Sequence, residues 1–183
     1  GSVKLVSSEN LASVNYDGVD SWLNDYFYEK LSDSAKKLIV KQKFCNEEVS
    51  DPDNYTKCNK YSKKKYVGLL SVADINNSKD ENGNYNANSF ITNWTSNSVS
   101  NKKSWLMAYY SVAEGSYKQY KDMNNNEIYG VAPSINVMKN SVILKGNGSI
   151  DNPYIFSKNN IRIKNGDKVS SLPTGTYIKY SGY

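Results

Sequence analysis

The sequence YGVAPSINVMKNSVILKGNGSIDNPYIF, residues 129–156, contains the strongest indication of fold in this chain. It consists of a short apolar run, a proline, a second run of alternating apolar and polar residues, a turn-forming cluster of Gly, Asn and Asp, and a final Tyr-Ile-Phe run. Alternating runs bounded by turn residues are typical of strands in an antiparallel sheet. The segment therefore predicts successive β-strands that close a domain.

Further β-segments are predicted on both sides of this stretch. The predicted strands cover residues 3–7, 105–113, 128–137, 141–145 and 153–157. Residues 66–75 form either a buried strand or a short helix, because periodicity does not separate the two. Residues 40–65 are a polar insertion that carries both cysteines. Residues 76–104 are dominated by Asn, Ser, Asp and Gly and are predicted to be rich in loops.

Two helices are predicted before residue 40. The first follows an N-cap at Asp20-Ser21 and has large apolar residues at helical spacing, namely Trp22, Leu23, Tyr26, Phe27 and Leu31. The second is capped by Ser32 or Asp33 and carries Ala35, Leu38 and Ile39. Packing of the first helix against a sheet explains its aromatic face. Helices early in the chain and strands late predict an α+β domain with a small twisted antiparallel sheet and long loops.

The order of these segments, together with Ser104-Trp105-Leu106, resembles a known family. It is similar to the repeat domains of Gram-positive (Firmicutes-type) surface proteins in the C-type-lectin-like superfamily, which also includes formylglycine-generating enzymes. The resemblance covers most of residues 3–157, and its strongest points are Trp105, Gly130, Pro133 and Asn152-Pro153-Tyr154. It implies a C-type-lectin-like fold and a place on the bacterial cell surface. It implies no ligand, because the function of the family is unknown.

One position departs from the family. Its members often have Arg between the valine and the proline of the YGV-P segment, where this chain has Ala132. A salt bridge or ligand contact made by that Arg is therefore not expected here.

Residues 158–183 are interpreted as a linker followed by the first strand of another repeat. In the family, a strand like TYIKYSGY, here residues 176–183, opens a repeat and pairs with a strand like VKLVS, here residues 3–7. The resemblance thus implies a tandem array cut out of phase. We expect residues 176–183 to pair beside residues 3–7, in the same molecule or in a neighbour, because residues 3–7 would otherwise expose a sheet edge.

The two cysteines, Cys45 and Cys58, lie in the hydrophilic stretch FCNEEVSDPDNYTKC. Their spacing fits neither a CxxC redox pair nor a metal knuckle. They form either a disulfide or free thiols, and the disulfide is favoured because no apolar segment surrounds them. A disulfide implies an oxidising, extracellular setting. Formylglycine-generating enzymes use a close cysteine pair in the other half of the domain, so that activity is not expected.

Histidine is absent from the chain, which excludes Ser-His-Asp and Cys-His catalysis and the usual His-containing zinc sites. An enzyme would depend on other groups, such as paired carboxylates. The acidic residues considered for that role are scattered along the sequence: Asp20, Asp25, Glu29, Asp80 and Glu114. Because nothing in the sequence shows two of them converging, we expect a protein without catalytic activity.

The formal net charge is +5, and Arg162 is the single arginine. Bidentate recognition of phosphate or guanine prefers Arg, so nucleic-acid binding is not expected. The basic run KYSKKK at residues 60–65 is interpreted as a solvated loop before the apolar residues 66–70. No apolar stretch approaches the roughly 20 residues that span a bilayer, so membrane insertion is not expected.

No cofactor is required, but one segment is a candidate calcium site. Asp80, Asn82 and Asn84 lie in DENGN, which is dense in oxygen ligands and partly resembles an EF-hand loop without its distant Glu. The alternative is an ordinary solvent-exposed loop. Calcium-dependent lectins use Glu-Pro-Asn or Gln-Pro-Asp with a downstream Trp-Asn-Asp, and these motifs do not occur here.

The interval between Trp105 and Gly130 is the predicted binding face. In ligand-binding members of the superfamily, recognition residues cluster between the corresponding Trp and Gly. Here the interval contains several aromatic and amide side chains: Tyr109, Tyr110, Tyr117, Gln119 and Tyr120. Tyrosine provides flat contact area at low entropic cost, which suits sugars and protein surfaces. The alternative is that alternate tyrosines face the core.

These features predict a binding module that acts in adhesion to a glycan or to a protein of a host or neighbouring cell. The second hypothesis is a structural spacer in a repetitive surface stalk, whose partners are the adjacent repeats of the same polypeptide.

Overall fold

The computed structural model describes residues 1–7, 9–51, 54–78, 82, 103–107, 112–114, 119–120, 126–146, 151–152 and 155–157. Its helical elements are α1 (Tyr16–Ser21), a π-helical segment (Trp22–Phe27), α2 (Tyr28–Lys30), α3 (Asp33–Lys36) and α4 (Val72–Asn76). Its strands are β1 (Ser2–Val6), β2 (Ala12–Asn15), β3 (Val67–Gly68), β4 (Lys103–Trp105), β5 (Val112–Glu114), β6 (Gln119–Tyr120), β7 (Ile128–Val131), β8 (Ser134–Met138), β9 (Val142–Lys145) and β10 (Ile155–Ser157). The protein is thus of the predicted α+β class, with small, largely antiparallel sheets.

Pro133 divides the predicted β-segment at residues 128–137 into two strands that belong to different sheets. β7 ends at Val131 and β8 begins at Ser134. Proline has no N–H to donate to a strand ladder, although its carbonyl accepts a hydrogen bond from the Ser7 N–H at 2.9 Å. The prediction of one continuous strand was therefore wrong, because the chain changes sheets at Ala132-Pro133.

β8 is the central strand of a three-stranded sheet in the order β1-β8-β3. β1 runs antiparallel to it from Ser2 opposite Met138 to Val6 opposite Ser134. β3 joins the other side of β8 through Val67 and Gly68. A Cβ added at Gly68 would lie 2.5 Å from the Phe44 ring, so the close packing of the buried Phe44 requires glycine here.

A five-stranded sheet has the order β2-β7-β4-β5-β6. β4 and β7 are parallel neighbours, with Ser104 opposite Gly130, whereas the other pairs are antiparallel. The predicted segment at residues 105–113 was wrong as a single strand, since β4 ends at Trp105 and β5 begins at Val112. β9 and β10 form a separate antiparallel pair near the segments predicted at 141–145 and 153–157.

The first helical region begins earlier than its predicted N-cap at Asp20-Ser21. Asn15, the last residue of β2, caps α1 by accepting a hydrogen bond from the Gly18 N–H at 3.1 Å. The chain then remains helical to Lys30, through the π-helical segment, in which the Tyr28 N–H bonds to the Leu23 carbonyl five residues earlier. The helix begins before Asp20 because β2 leads directly into α1.

The aromatic face of this helix is only partly in the core. Leu23, Phe27 and Leu31 are buried, as predicted, but Tyr26 is 51% exposed and Trp22 is half-buried. The wider turn of the π-helical segment accounts for the difference, because it aligns Trp22 with Phe27, whose rings stack 5.7 Å apart. Tyr26 then lies outside the face that packs on the sheets.

The structure contains the second predicted helix, and it shows which structure the ambiguous segment at residues 66–75 adopts. Ser32 caps α3 through the Ala35 N–H at 3.2 Å, and the three predicted apolar residues, Ala35, Leu38 and Ile39, are buried. Residues 66–75 contain both alternatives, namely β3 followed by α4. Ser71 and Asp74 form a reciprocal capping box at the start of α4.

The main hydrophobic core lies between the helical region and the two larger sheets. Trp105 is near its centre, with its ring edge-to-face against Tyr16 at 5.3 Å and Tyr129 at 4.7 Å. Its indole N–H donates to the Val14 carbonyl at 2.8 Å. A second cluster contains Val49, Leu70, Val72, Ile75, Leu106 and Ala132. Ala132, which occupies the family's Arg position, is thus part of a core.

None of the helices in the described ranges combines the length and apolar character needed to cross a membrane.

Candidate functional site

Cys45 and Cys58 form a disulfide, with an S–S distance of 2.07 Å and Cα atoms 5.8 Å apart. This confirms the favoured of the two interpretations. Cys45 is nevertheless buried, beside the buried Phe44 in the chain. The bond closes one end of an extended double strand.

That double strand is formed by residues 41–46 and 60–66, which we call the lysine ribbon. The Gln42 N–H donates to the Lys65 carbonyl at 3.0 Å, and the Lys65 N–H returns a bond to the Gln42 carbonyl at 2.9 Å. Further along, the Asn46 N–H donates to the Lys60 carbonyl at 2.8 Å. The basic run at residues 60–65 is mostly exposed to solvent, as predicted, but it is not a free loop, because the isolated antiparallel bridges Gln42–Lys65 and Cys45–Tyr61 attach it to residues 42–45.

Glu47 fixes the chain beyond the disulfide. Its Oε2 accepts hydrogen bonds from the Tyr55 hydroxyl, from the Asn59 N–H at 2.7 Å and from the Lys60 N–H at 3.3 Å. These donors, first of all Tyr55, lower the pKa of the Glu47 carboxyl. Burial and the neighbouring Glu47 charge raise the pKa of Tyr55 to about 12. Glu47 is therefore a structural anion at neutral pH.

Residues between the two ribbon strands also dock onto α4. The Asn76 side-chain amide donates to the Tyr55 carbonyl at 2.8 Å, and that of Asn77 donates to the Thr56 carbonyl at 2.9 Å. Val49 is buried in the second hydrophobic cluster. The insertion predicted as polar and loop-like is thus attached to the body of the domain.

The lysines of the ribbon differ in their surroundings. Lys65 forms an ion pair with Asp20 at 2.6 Å, directed toward α1. Lys43, Lys60, Lys63 and Lys64 are exposed, and within the described ranges they form no ion pair. Lys65, which faces the domain, is thus neutralised, whereas the four solvent-facing lysines have no carboxylate partner among the described residues.

An aromatic stack borders the ribbon at its Lys41–Tyr66 end. The Tyr28 and Tyr66 rings are parallel, with centroids 4.3 Å apart. Lys36 Nζ lies 5.2 Å from the Tyr28 centroid, and Lys41 Nζ lies 4.6 Å from that of Tyr66. Burial and the adjacent Tyr66 raise the pKa of Tyr28 to about 12. The stacked rings join the ribbon to α2, and a cation–π contact from a lysine lies on each of the two rings.

Two tyrosines of the described surface expose large parts of their rings. Tyr26, on the π-helical segment, lies 6.2 Å from Trp22 and has Lys30 Nζ 5.5 Å from its centroid. Tyr61, on the ribbon opposite Cys45, is 52% exposed. Both offer aromatic surface accompanied by lysine.

The predicted binding residues are only partly within the described ranges. Gln119 and Tyr120 form β6, which pairs with β5 at one end of the five-stranded sheet. Tyr109, Tyr110 and Tyr117 lie outside the described residues. The assignment of this interval as a binding face stays a prediction.

Only one of the three candidate calcium ligands lies within the described residues. Asn82 is in an exposed turn, and Asp80 and Asn84 lie outside the described residues. The described part of the chain contains no group of three or more Cys, Asp or Glu side chains placed to hold a metal ion.

Three of the acidic residues considered for catalysis each contact a different partner. Asp20 pairs with Lys65, Asp25 accepts from the Ser21 hydroxyl at 2.9 Å, and Glu29 pairs with Lys36 at 2.7 Å. Asp80 lies outside the described residues, and Glu114 belongs to β5.

Sequence reasoning missed the lysine ribbon because its two strands are separated by the disulfide loop. A usable signal existed in the alternation of Lys41 and Lys43 before Cys45, matched by Lys63–Lys65 after Cys58. A disulfide between the cysteines predicts that these segments lie side by side.

Comparison of the chain with models of protein families, with curated proteins and with solved structures found no match.

Proposed function

We propose that this chain is a non-catalytic module of an extracellular bacterial surface protein, and that it binds a glycan or a protein in adhesion. The observation that carries the proposal is the exposure of aromatic rings on a well-ordered frame: Tyr26 and Tyr61 each leave about half of their surface in solvent. Tyrosine and tryptophan are enriched at recognition surfaces because they offer large, rigid contact area. The disulfide supports an oxidising, extracellular setting.

The C-type-lectin-like fold is part of this proposal. The residues that carry the resemblance meet in space, since Ser104 pairs with Gly130 and Trp105 packs on Tyr129. Two early helical regions and small sheets are compatible with that fold. In such a domain, residues 109–120 would form the binding face, next to the edge at β6.

The test is a glycan array and a protein array probed with the multimerised chain, in calcium and again in EDTA. The proposal predicts selective binding. A signal that disappears in EDTA would point to a metal-assisted site such as Asp80, Asn82 and Asn84. A signal that persists in EDTA and is lost on Tyr117→Ala and Tyr120→Ala would assign the tyrosine interval. A blank result on both arrays would contradict adhesion.

The second candidate function is a spacer repeat in a surface stalk. It is favoured by β1, which lies at the end of its sheet, so that its outer edge has no strand beside it among the described residues. A strand of an adjacent repeat would fit that edge. Blank arrays, combined with end-to-end association of linked repeats in solution, would favour the spacer.

A further inference from the structure

We infer that the lysine ribbon is a binding site for an anionic polysaccharide, one that carries carboxylate or sulfate groups along its length. The inference deepens the proposed adhesion function and rests on it. It names the class of ligand and places the site outside the predicted tyrosine interval.

The exposed lysines of the ribbon lie close together. Gln42 lies opposite Lys65 and Cys45 lies opposite Tyr61, so the register shifts by one residue between these two bridges, and the exposed Lys43 lies across from the exposed pair Lys63-Lys64. Like charges close together across a strand pair repel one another. Lys60 and Lys63 extend the exposed positive charge along the same strand. A linear polyanion would relieve this repulsion at successive positions.

Within the described ranges, the outward-facing lysines of the ribbon have no carboxylate partner. Lys4, Lys36 and Lys65 are each paired with a carboxylate at 2.6–2.7 Å, which shows that acidic partners are available elsewhere on this surface. Glu47, the acid most closely attached to the ribbon, uses Oε2 to accept three bonds from Tyr55, Asn59 and Lys60. In the described ranges, the outward-facing lysines thus keep their full charge for a ligand.

The backbone of the ribbon is held at both ends. The disulfide closes one end of the ribbon, and reciprocal backbone bonds between Gln42 and Lys65 hold the other. Phe44, between Lys43 and Cys45, is fully buried against Gly68. Binding therefore orders side chains but little backbone, which lowers the entropic cost of association.

An exposed tyrosine beside the lysines distinguishes a polysaccharide from other polyanions as the ligand. Tyr61 stands between Lys60 and Lys63 with half of its surface exposed, and an aromatic ring can stack on the apolar C–H face of a sugar. The ribbon contains lysine but no arginine, whereas guanine recognition in nucleic acids favours the arginine fork. Lysine is a compact point charge, which suits monodentate pairing with single carboxylate or sulfate groups.

The experiment compares four polymers as ligands for the intact chain by biolayer interferometry: polygalacturonate, dextran sulfate, uncharged dextran and polyglutamate, with single-stranded DNA as a further polyanion. Binding to the two anionic polysaccharides is expected to weaken steeply with added salt, and binding to uncharged dextran is expected to be undetectable. Lys43→Gln/Lys64→Gln should lower polysaccharide affinity by about tenfold. Tyr61→Ala should lower polysaccharide affinity but leave polyglutamate binding unchanged.

The matched control is Lys37→Gln/Lys139→Gln, which removes the same charge at exposed positions outside the ribbon. An equal loss in the control would show a general charge effect and overturn the inference. Equal affinity for polyglutamate or DNA at matched charge density would also overturn it. Thermal melting of each variant establishes that the fold is retained.

The outcomes also separate this inference from the proposed function. Selective binding to neutral glycans or to a protein, unaffected by Lys43→Gln/Lys64→Gln, would leave adhesion standing and reject the ribbon as its site. Absence of every binding signal would reject both.

Discussion

Gly130 shows how a single residue joins the two halves of the domain. A Cβ at this position would lie much closer to the side chain of Asn10 than van der Waals contact allows. Asn10 is itself buried, and its Oδ1 accepts a 2.6 Å hydrogen bond from the Ser104 hydroxyl. The absence of a side chain at Gly130 therefore lets a buried polar contact form between the β1–β2 connection and β4.

We expect Gly130→Ala to destabilise the protein by about 1–3 kcal/mol, because the added methyl group overpacks a site with no free space. Urea denaturation measures the change. The same substitution in an Asn10→Ala background should cost clearly less, since the overlapping side chain is gone. Equal costs in both backgrounds would show that strain in the strand itself, and not Asn10, is responsible.

Glu47 and Tyr55 form a pair whose acidity can be tested directly. The Tyr55 hydroxyl is the main cause of the lowered pKa of Glu47, so Tyr55→Phe should raise that pKa toward the ordinary glutamate value of about 4.3. NMR titration of the Glu47 carboxyl measures it. An unchanged pKa in Tyr55→Phe would contradict this assignment.

The sign of the pH effect follows from the direction of the shift. The pKa of Glu47 is lower in the folded state than in the unfolded state. The Glu47 carboxylate therefore contributes its full stabilisation at pH values above the pKa of the unfolded state. It is lost as pH falls through the folded pKa. Tyr55 shows the opposite trend, since its pKa of about 12 makes its contribution complete below pH ~10 and lost as pH rises further. The wild type should therefore lose more stability than Tyr55→Phe at both extremes.

At the scale of elements, local sequence signals predicted the presence of helices better than the residues at which each helix begins and ends. Ser32 was found as a cap because its side chain acts within its own turn. Asn15 was missed because the strand before it, β2, is defined by pairing with β7 more than 100 residues away. The π-helical segment was missed because apolar spacing of three and four residues describes it nearly as well as an α-helix. Tyr26 was consequently predicted to lie in the core.

The Cys45–Cys58 disulfide of the lysine ribbon is expected to contribute to the free energy of unfolding. Replacing both cysteines, Cys45→Ala/Cys58→Ala, should lower the free energy of unfolding by about 3 kcal/mol, since the bond closes a loop with a sequence separation of 13. Chemical denaturation with and without dithiothreitol measures it. The reductant should destabilise the wild type and leave the double variant unchanged. A reductant effect on the double variant would show a cause other than this bond.

At the scale of the whole molecule, sequence patterns predicted the class of fold but not its division into sheets. Most of the strands at 128–137, 141–145 and 153–157 were visible because their alternation is local. Their partners were not, because β3 has two residues and β4 has three, too few for any periodic signal. The same limit hid the lysine ribbon, because its two segments pair with each other across the disulfide-closed loop and not with their neighbours in the sequence.

The pairing predicted for residues 176–183, which lie outside the described residues, can be tested at β1. The Ser7 N–H bonds to Pro133, and bonded pairs alternate along an antiparallel ladder, so the Lys4 and Val6 amides face away from β8. If the tail pairs there, these amides should be protected from hydrogen exchange. Ile178→Pro, which removes a ladder donor, should abolish the protection. Fast exchange of both amides in the unmodified chain would contradict the pairing.

The parallel contact between Ser104 and Gly130 has a consequence for how this protein can vary. Both ends of the intervening segment are anchored in adjacent strands, and β5 and β6 within it belong to the same sheet. Loop-closure entropy rises only by roughly 0.6 kcal/mol for each doubling of length. Residues 115–118, which connect β5 to β6, can thus be lengthened or rewritten at little cost as long as both strands are kept, which makes this connection a natural place for grafting new specificities.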